Sequence, residues 1–181
     1  MKTTKKGFTL IELIVVIAII GVLAAILVPT MLGYVRKSKI SSANSAASSV
    51  YKAINSALTE LDEEGIDVGG DYILTYNGTT WAALPTGLSD ATKLNKKVSN
   101  FFSDITKVKE ANAAVSGGSC VALCSRLDST YNGTYPAGIV TSDTFETYKG
   151  TTKFSTAFEA ALNKAGYLKT TGSAGFKKSG S

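Results

Sequence analysis

Few residues in this chain could do chemistry, and the one in the least ordinary place is Glu12. It is a carboxylate inside an apolar run that extends from Phe8 to Leu32. A charged side chain at the centre of a bilayer costs about 2.5–3.5 kcal/mol on insertion scales, so an acid there points to a function beyond anchoring. The usual parts of an enzyme are missing. The chain has no histidine, which removes the commonest general base, the commonest metal ligand and any histidine-dependent nucleophile. Cys120 and Cys124 are too few for a four-cysteine zinc site and have no histidine to complete a mixed one. Enclosing only three residues, they could close a small disulfide in an oxidising compartment, which is expected ahead of two free thiols. The acids Asp62, Glu63, Glu64 and Asp67, or Asp143 and Glu146, lack the ligand pattern of a calcium loop. No glycine-rich phosphate loop occurs, so no nucleotide, cofactor or metal is expected, and no catalytic activity.

Composition narrows the class further. At 181 residues the chain has room for one anchor and one domain of modest core. Nineteen Lys and Arg stand against fourteen Asp and Glu, a net charge of +5. Three of the cations, Lys2, Lys5 and Lys6, precede Phe8, and without them the charge falls to +2. The remaining basic pairs, Lys96-Lys97 and Lys177-Lys178, are isolated, whereas nucleic-acid backbones need clustered cations; no nucleic-acid partner is expected.

The run Lys5-Lys6-Gly7-Phe8-Thr9-Leu10-Ile11-Glu12 opens the apolar stretch. From Phe8 to Leu32 there are 25 residues, or about 37 Å of helix, enough to cross a hydrocarbon core of about 30 Å. A secretory signal cut at Ala24-Ala25, or a plain signal anchor, would each give a basic start and an apolar core. Neither accounts for Gly7 before Phe8, nor for Glu12 four residues on. In those three residues the chain resembles the type IV pilins and the related pseudopilins of type II secretion and competence. The resemblance covers Lys5 to about Arg36. It implies a leader (1–7) removed between Gly7 and Phe8 by a prepilin peptidase, and N-methylation of Phe8. It also implies an assembly role for Glu12, whose carboxylate would neutralise the Phe8 α-amine of a neighbouring subunit. A Gly and a Pro at the places of Gly21 and Pro29 would bracket a segment able to kink or melt on packing. Many pilins close a much longer C-terminal loop with their cysteines, and here the chain departs from that pattern. The flanking charges tie for orientation, Lys2, Lys5 and Lys6 against Arg36, Lys37 and Lys39. The resemblance breaks the tie in favour of a cytoplasmic leader and an outer domain.

Periodicity supplies the elements that would hold this motif. Ile40, Ala43, Ala47, Val50, Ile54, Ala57 and Leu61 form a second-half apolar stripe, and Gly65 suits the helix stop. One helix from Phe8 to about Glu64 is therefore expected, apolar all round over 8–32 and amphipathic over 33–65. The stretch 66–169 reads as a globular α+β head. Asn77-Gly78 predicts a type I′ hairpin, and the same pentapeptide Thr-Tyr-Asn-Gly-Thr at Thr130–Thr134 predicts another, joining strands over 121–127 and 135–141. Both asparagines also match the glycosylation sequon, although turn chemistry already explains Asn-Gly. Leu94, Val98, Phe101, Ile105 and Val108 predict a helix capped by Ser89 or Asp90. Phe154, Phe158, Ala161 and Leu162 predict a shorter one, ended by Gly166. The Gly-, Ser- and Lys-rich stretch 170–181 predicts a flexible tail.

The expected fold class is thus α+β, a long N-terminal helix packed through its amphipathic half against an antiparallel sheet, lollipop-like. The expected function is structural. Subunits would self-assemble through the apolar helix into a pilus filament, fed by an assembly platform from a single-pass membrane pool and displayed at the bacterial surface. Adhesion, aggregation or twitching motility follow from the resemblance alone. A pseudopilin of secretion or DNA uptake, the one case in which a nucleic-acid partner would be expected, is the rival within that class, and a membrane-anchored binding protein that never polymerises is the rival outside it.

Overall fold

The computed structural model describes residues 7–84, 88, 91–170 and 175–180. The leader upstream of Gly7 and the expected caps Ser89 and Asp90 lie outside these residues. Helix α1 runs Leu10–Glu63 as one element. Its end is set by Gly65 at φ +79°, where the Gly65 N–H donates to Asp62 O at 2.9 Å and the Ile66 N–H to Leu61 O at 3.0 Å. That pair of bonds is a Schellman stop, and a side chain at the positive φ would clash with its own backbone.

The chain divides into two compact units at Lys37/Ser38, and each stands on different physics. In the first, every large apolar side chain from Phe8 to Val35 is roughly half exposed or more. Among the described residues α1 is the one helix long and apolar enough to cross a membrane, with a mean hydropathy of 3.2 over its most apolar window. The second unit contains residues 38–63 of α1 together with everything that follows, and here the stripe from Ile40 to Leu61 is buried throughout, joined by Ala53 and Leu58.

Strands β1 (Asp71–Tyr76), β2 (Trp81–Leu84), β3 (Glu110–Ser116), β4 (Ser119–Arg126) and β5 (Asn132–Tyr135) form an antiparallel sheet in the order β2-β1-β3-β4-β5. Alternation along β1 sends Tyr72, Leu74 and Tyr76 to one face, where they meet Val50, Ile54, Leu58 and Leu61 of α1 and Leu94 and Val98 of α2 (Ala91–Phe101). The other face carries Ala114, Ala122 and Cys124 under Phe154, Phe158 and Leu162 of α4 (Phe154–Lys164) and Phe145 of the short α3 (Phe145–Tyr148). The result is an α+β unit whose sheet separates two apolar clusters.

Several local expectations change. The first hairpin pairs Tyr76 with Trp81, and its bonded ends are Asn77 and Thr80, so Gly78 and Thr79 are the central residues. Only Gly78 has positive φ, and the turn sits one residue later than a type I′ at Asn77-Gly78 would put it. The second Thr-Tyr-Asn-Gly-Thr is no turn at all. Asn132 and Gly133 lie inside β5, and Asn132 is 1% exposed, which withdraws it as a sequon. Gly117-Gly118, both with positive φ, make the tight hairpin between β3 and β4 instead. The 94–108 stripe is helical only to Phe101, with a 3₁₀ turn over Ser103–Lys107.

The expected flexible tail is corrected over its middle. Strand β7 (Phe176–Lys178) pairs with β6 (Tyr167–Lys169), and Phe176 is buried against the α4 cluster, since one large aromatic gives the segment apolar area to bury. The expected disulfide is corrected as well. Cys120 and Cys124 are free and buried. Four residues of strand separate their Cα atoms by about 13 Å, against a bridging limit of about 7 Å. A bulge between Ala114 and Val115 of the pairing also reverses the alternation, so Cys120 joins the α1-side cluster and Cys124 the α4-side one.

Candidate functional site

The site expected from sequence is the N-terminal end of α1, and the structure gives Glu12 a partner that the sequence reading missed. Glu12 is in the first turn, where the helix dipole favours an acid. Its Oε2 accepts from the Thr9 backbone N–H at 2.8 Å and from Thr9 Oγ1 at 2.7 Å, and the Glu12 N–H donates to Thr9 Oγ1 at 3.3 Å. This is a reciprocal capping box, Thr-x-x-Glu, satisfying two otherwise orphaned donors of the first turn. The pattern Thr9-Leu10-Ile11-Glu12 before an apolar run is itself a sequence signal for that box.

Gly7 and Phe8 precede the helix in exposed, non-helical backbone, and Phe8 is 83% exposed. Around Glu12, Phe8, Ile11, Val15 and Val16 line an apolar depression, so the carboxylate stands in a surface that is otherwise hydrocarbon. Further along, α1 continues through Pro29. The ring nitrogen removes the donor that Ala25 O would use, and the Thr30 hydroxyl turns back to Leu27 O at 2.8 Å, with Ile26 O at 3.4 Å. A Cβ at Gly21 would meet nothing within 4 Å, so packing inside this chain does not require glycine there. No His/Cys/Asp/Glu group able to hold a metal occurs among the described residues. The two thiols are no catalytic alternative, because burial pushes both well above the usual thiol range.

In the second unit, two asparagines each bond an edge strand of the sheet. Asn44 on α1 accepts the Thr134 N–H of β5 at 3.0 Å and donates to Val140 O at 2.9 Å. Asn95 on α2 accepts the Trp81 N–H of β2 at 2.8 Å. Each takes up one edge donor that could otherwise pair with a foreign strand. At the far end of α1, Lys97 bridges Glu60 at 2.9 Å and Glu64 at 2.7 Å while its side chain is 14% exposed, tying α2 to the helix stop.

Comparisons with known proteins agree with this layout. Residues 2–28 match the model of the prokaryotic N-terminal methylation motif. The chain is 45% identical over 67 residues to the type IV major fimbrial protein FimA of Dichelobacter nodosus, covering 37% of this chain and 42% of that one. It is 46% identical over 56 residues to a fimbrial protein of Pseudomonas aeruginosa, covering 31% of this chain and 36% of the relative. These matches span only about two-fifths of those relatives' length. A further fimbrial protein of Dichelobacter nodosus is matched far more fully, at 31% identity over 149 residues, 76% of this chain and 89% of the relative. No solved structure matches the chain. With the motif at Gly7, Phe8 and Glu12, the long helix, the antiparallel sheet and a relative matched over nearly its whole length, this chain belongs to the type IV pilin family.

Proposed function

We propose that this protein is a structural subunit of a type IV pilus, held first in the cell membrane and then polymerised through the N-terminal half of α1. The observation that carries the reading is the contrast along one helix. From Ile40 onward its apolar stripe is buried, whereas the large apolar side chains from Phe8 to Val35 are exposed on every face of the helix. Apolar surface on every side of a helix needs lipid or other helices around it. Lipid serves the precursor, and the same segment from many copies serves the filament core, where close packing replaces lipid contact.

The N-terminal residues supply the steps. A prepilin peptidase cutting between Gly7 and Phe8 meets exposed backbone outside the helix and no side chain at Gly7. The new Phe8 α-amine is positive and stays so when methylated. It pairs with Glu12 of a neighbouring subunit, and Glu12 exchanges its Thr9 donors for that amine during assembly. An acid left with neither partner in hydrocarbon is the costly state. Gly21 and Pro29 weaken the helix between them by removing, respectively, side-chain restraint and one backbone donor, so this is where α1 would kink or melt on packing. The second unit is displayed outside the cell, and adhesion, aggregation or twitching motility would be its service to the cell. An assembly platform supplies the energy. A pseudopilin role is not favoured, because the matched relatives are fimbrial proteins.

The test is the Glu12→Ala chain in cells. Removing the acid leaves membrane insertion intact or improved, while filaments seen by electron microscopy disappear. N-terminal mass spectrometry of wild-type filaments gives a chain starting at methylated Phe8. Normal filaments from Glu12→Ala, or a start at Met1 or after Ala25, would overturn the reading.

A further inference from the structure

The pentapeptide Thr-Tyr-Asn-Gly-Thr occurs twice, and the fold puts its two asparagines in opposite chemical states. Asn77 is exposed at the tip of the β1–β2 hairpin. Its Oδ1 accepts two backbone hydrogen bonds, from Thr79 N–H at 3.0 Å and from Thr80 N–H at 2.9 Å. The next residue, Gly78, has no side chain to shield its backbone nitrogen. Asn132 is 1% exposed, and its Oδ1 has no donor among the described residues. Its Nδ2 is held by Tyr148 O at 2.6 Å and Gly150 O at 3.0 Å. Gly133 behind it is fixed in the ladder opposite Ser125, and an atom added at its Cβ position would lie 1.9 Å from Ala43 O.

We propose that Asn77 is a self-modifying site, which the folded hairpin drives to deamidate, and that Asn132 is protected by the fold. The Gly78 backbone nitrogen gives its proton to solvent and forms a bond to Asn77 Cγ. The Cγ–Nδ2 bond breaks as Nδ2 takes a proton from solvent and leaves as ammonia, closing a five-membered imide. Water then opens the ring at one of its two carbonyls, giving aspartate or isoaspartate at 77. No oxidant or reductant takes part. During attack the negative charge develops on Asn77 Oδ1, the atom on which two N–H groups already converge, and preorganised donors at a developing oxyanion are a strong source of rate. At Asn132 each requirement fails. No described donor meets the oxygen, the leaving nitrogen is tied to two carbonyls, the side chain is shut away from water, and Gly133 is held in the ladder opposite Ser125.

The two products differ in consequence. Aspartate at 77 keeps an oxygen for the Thr79 and Thr80 donors, so the hairpin persists with one added negative charge. Isoaspartate inserts a carbon into the backbone beside the Tyr76–Trp81 pair, whose rings lie 5.0 Å apart, and disturbs the register there. Subunits that stay long in a filament would therefore accumulate charge at this tip.

The experiment incubates the full chain in detergent micelles in mildly alkaline buffer, folded or in urea. Tryptic peptides 53–93 and 127–149 are then followed by mass spectrometry, with enzymatic isoaspartyl methylation as a second readout. In the folded chain Asn77 should convert at least ~10-fold faster than Asn132, and faster than Asn77 does in urea. In urea the two identical pentapeptides should convert at similar rates. Equal rates in the folded chain, or an Asn77 that slows on folding, would overturn the proposal. A difference that persists in urea would overturn it too, since sequence context rather than the fold would then be the cause.

Discussion

Gly133→Ala tests how tightly the sheet is seated on α1. The added Cβ would stand 1.9 Å from Ala43 O and 2.3 Å from Ala43 C, both backbone atoms of a helix that cannot swing aside as a side chain can. Ordinary contact begins near 3.4 Å, so β5 and α1 must part locally by about 1.5 Å. Two interactions span that gap and are lost with it. One is the Thr134 N–H bond to Asn44 at 3.0 Å, worth about 1 kcal/mol. The other is the stack of Tyr135 on Tyr51, with ring centroids 3.6 Å apart, worth about 0.5–1.5 kcal/mol. Overpacking adds about 1–3 kcal/mol. The lower entropy of an unfolded alanine returns less than about 1 kcal/mol. A net loss of about 2–5 kcal/mol remains, and in a domain of this size it lowers the Tm by about 5–20 °C. The assay is thermal unfolding by circular dichroism of the full chain in micelles, with Gly69→Ala as control. Gly69 has no positive φ, and its added Cβ meets only the Asp67 side chain at 3.1 Å, so its Tm should move by no more than about 2 °C. If the two variants melt together, the close seating of β5 on α1 is wrong.

Three further outcomes follow from the same geometry. The Lys97 ammonium holds the Glu64 carboxyl below its usual 4.5, and Glu64, then Glu60, hold Lys97 above 10.5. The pair's contribution is therefore complete between those values and fades as pH falls through the depressed Glu64 titration or rises through that of Lys97. Acid unfolding below pH 4.5 should flatten in Lys97→Met relative to wild type, and an unchanged acid profile would rule the pair out as a contributor. Cys120 and Cys124, buried on opposite sides of the sheet, should resist alkylation in the folded chain and both react in denaturant, while mobility without reductant matches mobility with it. Thr9→Val removes the hydroxyl half of the capping box, at about 1 kcal/mol, so amide exchange at Glu12 and Leu13 in micelles should quicken by about fivefold without change beyond Ile20.

The sequence alone pointed to the candidate site and determined the helix that bears it. An acid inside an apolar run, a glycine before Phe8 and a buried stripe from Ile40 to Leu61 are local or periodic signals, readable because helix geometry repeats every few residues. Thr9 was legible too, as the first residue of a Thr-x-x-Glu box. The sheet was a different matter. Strand β3, Glu110–Ser116, is rich in alanine and carries little strand preference of its own, yet it lies at the centre of the sheet. Small side chains there let layers on both faces approach, which is a property of the neighbours rather than of the segment. The repeated Thr-Tyr-Asn-Gly-Thr makes the same point without any difference in local sequence. At 75–79 the asparagine is exposed at the hairpin tip, and it bonds the turn around it. At Thr130–Thr134 the backbone of α1 lies against Gly133, and Asn132 finds the carbonyls of Tyr148 and Gly150. Cys120 and Cys124 likewise have a spacing that permits a small loop in a flexible chain, but an extended strand with a bulge holds them apart. Local preferences of a kcal/mol or less decided those segments only where no packed layer outweighed them.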